Sequence, residues 1–255
     1  SDTINLGKAG VGMYTNATST GTNPLVNTGK ITVGDNGIGM YGFEENTTEN
    51  ITAGKSGIAL YSQGGAVNIG SASKTPTITV GDTKATAVFT AGNTQTITST
   101  NAKYSIGANS YGFVNTGTGN TLNIAGGTAT LTDNGIFIYS SDTTGNITNK
   151  TAVTSKGSNG SNFGIYSSGT VNNSGDITLT NGTGNVGVYA TNSGTINNSG
   201  TINVNTLESV GMLGQAASSV INKKTINLSA EKGIGMLAKD TDSIATNEDT
   251  INVDG

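Results

Sequence analysis

The stretch Ile31-Thr32-Val33-Gly34-Asp35-Asn36-Gly37-Ile38-Gly39-Met40-Tyr41-Gly42 contains the unit on which the rest of the chain is built. Its two ends alternate residue by residue, the period expected of a strand with one buried face. The central Gly34–Gly37 segment consists of residues that tolerate positive φ or hydrogen-bond to their own backbone. The stretch therefore predicts two short strands joined by a turn.

Degraded copies of this unit recur about every 25 residues along the chain. The position before Tyr41 and its equivalents holds all four methionines, which are Met13, Met40, Met212 and Met236. The position of Tyr41 itself is filled by Tyr14, Tyr41, Tyr61, Phe89, Tyr139, Tyr166, Tyr189, Leu213 and Leu237. The apolar position of the first strand is assigned to Ile4, Ile31, Ile51, Ile78, Ile97, Ala129, Ile177, Ile202, Ile226 and Ile251.

A repeat of this length without helical periodicity cannot bury an apolar face alone, but stacked copies form a continuous core. In the C-terminal half a third strand precedes the other two, and Asn172, Asn197 and Asn222 follow its apolar residue, which predicts an asparagine ladder. We therefore predict an all-β fold, a right-handed parallel β-helix (β-solenoid) of about 10 coils with three short strands per coil. At the ~4.8 Å strand spacing the rod would be roughly 50 Å long.

Residues 1–255 are predicted to be one continuous β-helix segment. Because the sequence starts and stops within a repeat, we expect it to be an excerpt of a longer chain without native caps. An irregular coil is expected near 101–120, where the pattern fades, and a loop insertion at 155–162. That loop is a candidate binding element or else a tolerated polar loop. Its candidate residues are Ser155, Lys156, Ser158, Asn159, Ser161 and Asn162.

The composition excludes several classes of function. The chain has 43 Thr, 32 Asn and 39 Gly, its 12 basic residues are all Lys, and its net charge is −4, so no basic surface for nucleic acid is expected. Because His and Cys are absent, Ser-His-Asp and Cys-His catalytic sites cannot form, and zinc loses its usual ligands. We expect no enzyme and no cofactor. The acids Asp240, Asp242, Glu248 and Asp249 are interpreted as solvated turn residues rather than a catalytic or calcium site.

Two outward-facing sets of side chains are candidate ligand-binding surfaces. Tyrosines beside glycine could form a shallow aromatic surface for sugar rings or a protein, or could pack mainly on one another. These residues are Tyr14, Tyr41, Tyr61, Tyr139, Tyr166 and Tyr189. Threonines beside the first-strand isoleucines could order water or bind sugars, or could simply be favourable residues for an exposed strand. These residues are Thr32, Thr52, Thr79, Thr98 and Thr130.

The repeats Gly-Ile-Gly-Met-Tyr-Gly at Gly37–Gly42 and Gly-Thr-Ile-Asn-Asn-Ser-Gly-Thr-Ile-Asn-Val at Gly194–Val204 resemble the passenger repeats of large monomeric (type V) autotransporter adhesins. The resemblance is to fusobacterial outer-membrane adhesins of the RadD type and covers nearly the whole chain. It implies a monomeric passenger on the bacterial cell surface, or secreted, whose C-terminal β-barrel anchor lies outside this sequence. It also implies adhesion to host-cell or bacterial surface glycans or proteins.

Two alternative functions remain open at this point. An ice-binding or hydration-layer solenoid would use Thr-x-Thr rows, although Lys30, Asn50 and Asp176 interrupt one of the two files. A polysaccharide-active β-helix enzyme would need paired carboxylates across a glycosidic bond.

Overall fold

The computed structural model describes residues 2–21 and 23–253, and it is built from strands with no helix in these ranges. The strands are short because a turn interrupts the chain after every two to five strand residues. In chain order they are β1 (Thr3–Leu6), β2 (Val11–Tyr14), β3 (Leu25–Asn27), β4 (Lys30–Val33), β5 (Ile38–Gly42), β6 (Glu45–Thr47), β7 (Ile51–Ala53), β8 (Ile58–Ser62), β9 (Ala66–Ile69), β10 (Thr77–Val80), β11 (Thr86–Thr90), β12 (Thr96–Thr100), β13 (Lys103–Ile106), β14 (Tyr111–Asn115), β15 (Thr121–Ala125), β16 (Thr128–Leu131), β17 (Ile136–Ser140), β18 (Asn146–Asn149), β19 (Ala152–Ser155), β20 (Phe163–Ser167), β21 (Thr170–Asn173), β22 (Ile177–Thr178), β23 (Val186–Ala190), β24 (Thr195–Asn198), β25 (Ile202–Asn203), β26 (Val210–Gly214), β27 (Ser219–Asn222), β28 (Ile226–Leu228), β29 (Ile234–Ala238), β30 (Ile244–Asn247) and β31 (Ile251–Val253).

Each strand from β1 to β28 pairs in parallel with the strand three positions further along the chain, which generates three sheets. Sheet A contains β1, β4 and every third strand to β31, sheet B runs from β2 to β29, and sheet C runs from β3 to β30. One strand of each sheet makes one coil, so the described residues form a parallel β-solenoid of about ten coils. The predicted all-β parallel solenoid of about ten coils with three strands per coil is confirmed.

The core consists of like side chains stacked from coil to coil. In sheet A, Ile31 lies opposite Ile51, which lies opposite Ile78, and all three are fully buried. In sheet B the four methionines occupy one inward file, as predicted. That file reads Met13, Met40, Leu60, Val88, Phe113, Ile138, Ile165, Val188, Met212 and Met236. Each coil therefore covers the apolar face of its neighbour along the axis.

The sequence-based assignment of one strand is wrong. Ile97 lies in β12 of sheet C, aligned with Val67 and Leu122, and Tyr104 takes its expected place in sheet A. Tyr104 is buried, and its hydroxyl lies 2.6 Å from the Ser99 hydroxyl. The Thr-Ile-Thr pattern is the same in sheets A and C, so the pattern alone did not distinguish them.

The same misassignment explains why the sequence pattern predicts an irregular coil near 101–120. The structure shows regular strands there instead. Strands β13 and β14 pair in full register with their neighbours on both sides. A tyrosine in the isoleucine file concealed the repeat. The ring of Tyr104 packs against Phe113 at 5.1 Å and Phe137 at 5.7 Å, so a group of aromatic rings fills the interior of these coils.

A buried asparagine ladder stabilises the corner where sheet C ends in the C-terminal half. Its buried members are Asn149, Asn173, Asn198 and Asn222, and the exposed Asn247 ends it. Each of the four buried side-chain amides donates to the side-chain oxygen of the asparagine on the next coil, at 2.7 to 3.1 Å. The buried ladder contains the predicted Asn222, whereas the predicted Asn172 and Asn197 lie one residue before its other members, on the outward file, where Asn197 donates to Asn172 at 3.2 Å.

The displacement arises because Asn222 follows its partner Asn198 by 24 residues, one fewer than the 25 residues that separate Asn197 from Asn222 in the sequence pattern. Asn172 and Asn197 lie in the outward file of sheet C, whereas Asn222 is aligned with Asn198 in the inward file. An insertion or deletion of one residue moves a side chain to the opposite face of a strand.

Candidate binding surface on sheet B

The outer face of sheet B is apolar and aromatic at every paired position except Thr86, unlike the other two outer faces. Two outward files cover it, and neither contains a charged residue. The first file is Val11, Ile38, Ile58, Thr86, Tyr111, Ile136, Phe163, Val186, Val210 and Ile234. The second, here the aromatic file, is Tyr14, Tyr41, Tyr61, Phe89, Val114, Tyr139, Tyr166, Tyr189, Leu213 and Leu237.

All six tyrosines predicted as a candidate surface lie in the aromatic file. Tyr14 is 63% exposed, and the other five are partly buried because the rings cover one another. Centroids of successive rings from Tyr14 through Tyr41 and Tyr61 to Phe89 are 5.5, 4.9 and 5.1 Å apart, in stacked geometry. The rings therefore face outward and pack on one another, which combines both sequence interpretations.

Packing changes the chemistry of the phenols and fixes their orientation. Burial raises the pKa of Tyr61 and Tyr166, and neighbouring tyrosines add to the rise. The Tyr189 hydroxyl donates to the Gln215 side-chain oxygen at 2.7 Å, and Gln63 donates to the Tyr41 hydroxyl. The file is therefore a largely rigid aromatic surface with polar groups at its edge.

The aromatic file has one interruption, at Val114. It divides the rings into one stack that ends at Phe89 and a second group that begins at Tyr139, at 5.2 Å from Tyr166. A cavity of about 310 Å³ lies over the interruption, lined by Lys84, Thr86, Phe89, Tyr111, Val114 and Tyr139. Sequence reasoning missed this place because the assignment of 101–120 as irregular left the coil of Val114 without a register.

The threonine candidates are only partly brought together. Thr32, Thr52, Thr79 and Thr130 lie in one outward file of sheet A, where Ser105 takes the place between Thr79 and Thr130 and Thr154 follows Thr130. Thr98 does not belong to this file, because β12 is a strand of sheet C, where Thr98 aligns with Asn68 and Asn123. It is therefore removed from this candidate surface.

The threonine file does not form a regular Thr-x-Thr array. Paired threonines occur at Thr77 with Thr79 and at Thr128 with Thr130, but Lys103 and Ser105 lie on the coil between them. Further along, Asn227 donates to Asn203 at 2.7 Å and Asn252 donates to Asn227 at 2.8 Å. Side chains of this face thus satisfy one another across coils, as an ordinary polar sheet surface does.

The candidate loop is attached to the solenoid rather than projecting from it. The Asp133 carboxylate accepts the backbone N–H groups of Asn159 and Gly160 at 2.9 and 3.2 Å. Gly160 also forms a β-bridge with Thr183. Two candidates are corrected: Ser155 is the last residue of β19, and Asn162 is fully buried. Lys156, Ser158, Asn159 and Ser161 are exposed.

Asn162 is buried because it is hydrogen-bonded to the coils on both sides of it. Its side-chain oxygen accepts the Gly135 backbone N–H at 2.9 Å, and its own backbone N–H donates to Asn185. The loop is therefore a longer corner of the coil, bonded to the coils on both sides.

The C-terminal acids occupy turn positions. The Ser243 hydroxyl and the Ala216 backbone N–H donate to Asp240 and lower the pKa of its carboxyl. Glu248 lies 4.0 Å from Lys223, and Asp249 accepts the Thr250 backbone N–H at 2.6 Å. Within residues 2–21 and 23–253, no group of three or more His, Cys, Asp or Glu residues could hold a metal ion.

No family model matches this sequence, and comparisons with curated proteins and with solved structures gave no match. Among the described residues, no helix is long and apolar enough to cross a membrane.

Proposed function

We propose that this chain is a non-enzymatic segment of a cell-surface adhesin, an elongated passenger that binds host-cell or bacterial surface molecules through the outer face of sheet B. The observation that supports this proposal is the asymmetry of the rod. Threonine and asparagine dominate the outward files of sheets A and C, whereas the two files of sheet B are apolar and aromatic. The resemblance of its repeats to autotransporter passengers supports the same function and a bacterial surface location.

An apolar face of this extent is a typical feature of an interaction surface. Large contiguous apolar patches are rare on monomeric proteins and usually mark sites for a partner. Aromatic rings supply much contact area at low entropic cost, and stacking fixes the rings before a partner arrives. Because the file repeats along the rod, many weak contacts with a repetitive cell surface would add through multivalency.

The proposal is tested by adhesion of the purified chain, coupled to fluorescent beads, to bacterial and epithelial cells. The variant Tyr41→Thr/Tyr61→Thr removes two neighbouring rings of the aromatic file. The matched control Thr32→Ala/Thr52→Ala alters the outer face of sheet A on the same two coils. Circular dichroism establishes that both variants remain folded.

We expect the tyrosine variant to lose most bead adhesion, tenfold or more because the contacts are multivalent, and the threonine variant to retain it. The proposal is contradicted if the chain adheres to no cell type. It is also contradicted if the threonine variant loses adhesion and the tyrosine variant keeps it.

A further inference from the structure

The interruption of the aromatic file leaves two ring faces without a stacked partner from the chain. Phe89 stacks on Tyr61 on one side, and its other side faces the coil of Val114. Tyr139 stacks on Tyr166 on one side, and its other side faces the same coil. The Tyr111 ring meets Tyr139 edge-on at 6.2 Å, so it forms a wall of the space rather than filling the stack.

The dimensions of this space correspond to one missing ring. Two steps of the ~4.8 Å strand spacing place the residues on either side of Val114 about 9.6 Å apart. Stacked rings elsewhere in the file are 4.9 to 5.5 Å apart, so a single ring placed midway would have normal stacking distances on both faces. The cavity of about 310 Å³ is at the small end for ligand pockets, which suits one side chain.

The chemistry of the lining selects the kind of ring. Most of the lining is aromatic or aliphatic, and Thr86 is buried. A sugar, with hydroxyls around its ring, would leave most of them unpaired here, whereas an aromatic ring requires no partners. Lys84 is exposed at the rim and forms no ion pair with the described residues, so it favours a carboxylate beside the ring.

We infer that the space over Val114, bounded by Phe89, Tyr139, Tyr111 and Lys84, is a slot that receives an aromatic side chain of a protein partner, with an acidic group next to that side chain. The inserted ring completes the aromatic file. This inference deepens the proposed function, because it relies on sheet B being the binding face and names the chemistry of the partner.

The absence of tryptophan in the chain permits a direct binding measurement. N-acetyl-tryptophan is titrated with protein and its emission recorded at an excitation wavelength that tyrosine does not absorb. N-acetyl-tryptophanamide, which lacks the carboxylate, is titrated in parallel. Methyl β-glucuronide is the competitor that represents an acidic sugar of similar charge.

Three variants separate the slot from the rest of the face. Val114→Phe fills the slot from within, and Phe89→Leu removes one wall with a residue that the same file already contains at Leu213 and Leu237. The matched control Leu213→Phe adds a ring to the same file above Tyr189, away from the slot. Lys84→Gln removes the rim charge.

We expect saturable binding of N-acetyl-tryptophan in the millimolar range that is lost in Val114→Phe, weakened severalfold in Phe89→Leu and unchanged in Leu213→Phe. The acid should bind roughly two- to fivefold more tightly than the amide, and Lys84→Gln should abolish that difference. Equal binding by the wild type and Val114→Phe would overturn the inference, and so would displacement of the probe by the glucuronide at equal concentration.

The two proposals fail in different ways. Cell adhesion that is unchanged in Val114→Phe, together with no saturable probe binding, refutes the slot and leaves the proposed function standing. Conversely, probe binding that depends on Val114 in a chain that adheres to no cells supports the slot and refutes the adhesin.

Discussion

The buried carboxyl group of Glu45 should lower the stability of this protein as the pH rises. Glu45 lies in the inward file of sheet C between Leu25 and Val67, and it is fully buried. Neither carboxyl oxygen has a hydrogen-bond partner of normal geometry within the described residues. Burial raises the pKa of Glu45 to about 8, and the nearby Ser62 hydroxyl and Gly42 backbone offset this only in part.

The direction of the pH effect on stability follows from the protonation of Glu45 in the folded and unfolded states. Below pH 4.5 the carboxyl is protonated in both states and has no effect on the pH dependence of stability. Between pH 4.5 and about 8 the unfolded chain ionises while the folded chain keeps its proton, so the unfolded state is favoured progressively. At ~1.4 kcal/mol per pH unit, the loss of folding free energy relative to acid is about 3 kcal/mol at pH 7 and about 5 kcal/mol at pH 9.

The substitution Glu45→Leu should remove this loss, since a leucine already fills the same file at Leu25. We expect the stability advantage of the variant over the wild type to grow by several kcal/mol between pH 4 and pH 9. Urea denaturation at pH 4, 7 and 9 measures the difference. Because solenoid stability is largely a sum over neighbouring coils, hydrogen exchange in β5 to β9 should report the same change locally.

The control is Glu231→Gln, which alters an exposed carboxylate in a turn. It should leave the pH dependence of the wild type unchanged. The reasoning is refuted if the wild type and Glu45→Leu lose stability equally between pH 4 and pH 9, because the carboxyl would then be ionised or solvated in the folded state.

Two further substitutions test the packing of the solenoid. Gly211→Ala should destabilise the protein by about 1–3 kcal/mol, because the new Cβ would lie 2.5 Å from the Gly235 carbonyl oxygen and 2.7 Å from Ile226 Cγ2. The control Gly214→Ala lies in the same strand and should be neutral, since its Cβ would have no atom closer than 3.5 Å. Equal thermal midpoints for the two variants would contradict this prediction. Asn198→Ala should lower the free energy of unfolding by about 2–3 kcal/mol, because Asn173 and Asn222 lose a buried hydrogen-bond partner. The control Asn197→Ala, on the outward file, should change the urea midpoint little. A larger loss of stability in Asn197→Ala than in Asn198→Ala would show that the ladder is misassigned.

Much of the fold could be predicted because its main signals are local. The alternation in Ile31–Val33 correctly assigns inward and outward residues, and the methionine file showed that like residues stack. Alternation fails in β5, where Ile38 faces outward and both Gly39 and Met40 are buried. The alignment of Tyr41 with Tyr61 and of Tyr139 with Tyr166 followed from the same repeat. These features require only the period of a strand and the spacing between turns.

Parts of the candidate surfaces could not be predicted, since they depend on the exact length of individual turns. Thr98 has the same neighbours in sequence as the threonines of sheet A, yet it lies in sheet C. Asn162 belongs to a polar run that reads as an exposed loop, but hydrogen bonds to Gly135 and Asn185 bury it. In both cases the position of the side chain is decided by contacts between coils, and the residues that make these contacts are distant in sequence.

The sequence by itself determined that this chain is a stack of short parallel strands with an aromatic file on one side, because strand alternation and repetition are written in neighbouring residues. Only the tertiary structure decided which strands share a sheet, that Tyr104 rather than Ile97 fills the core of sheet A, and that Val114 interrupts the rings between Phe89 and Tyr139. The physical reason is that a shift of one residue reverses the face of a side chain, and register is fixed by pairing between coils about 25 residues apart.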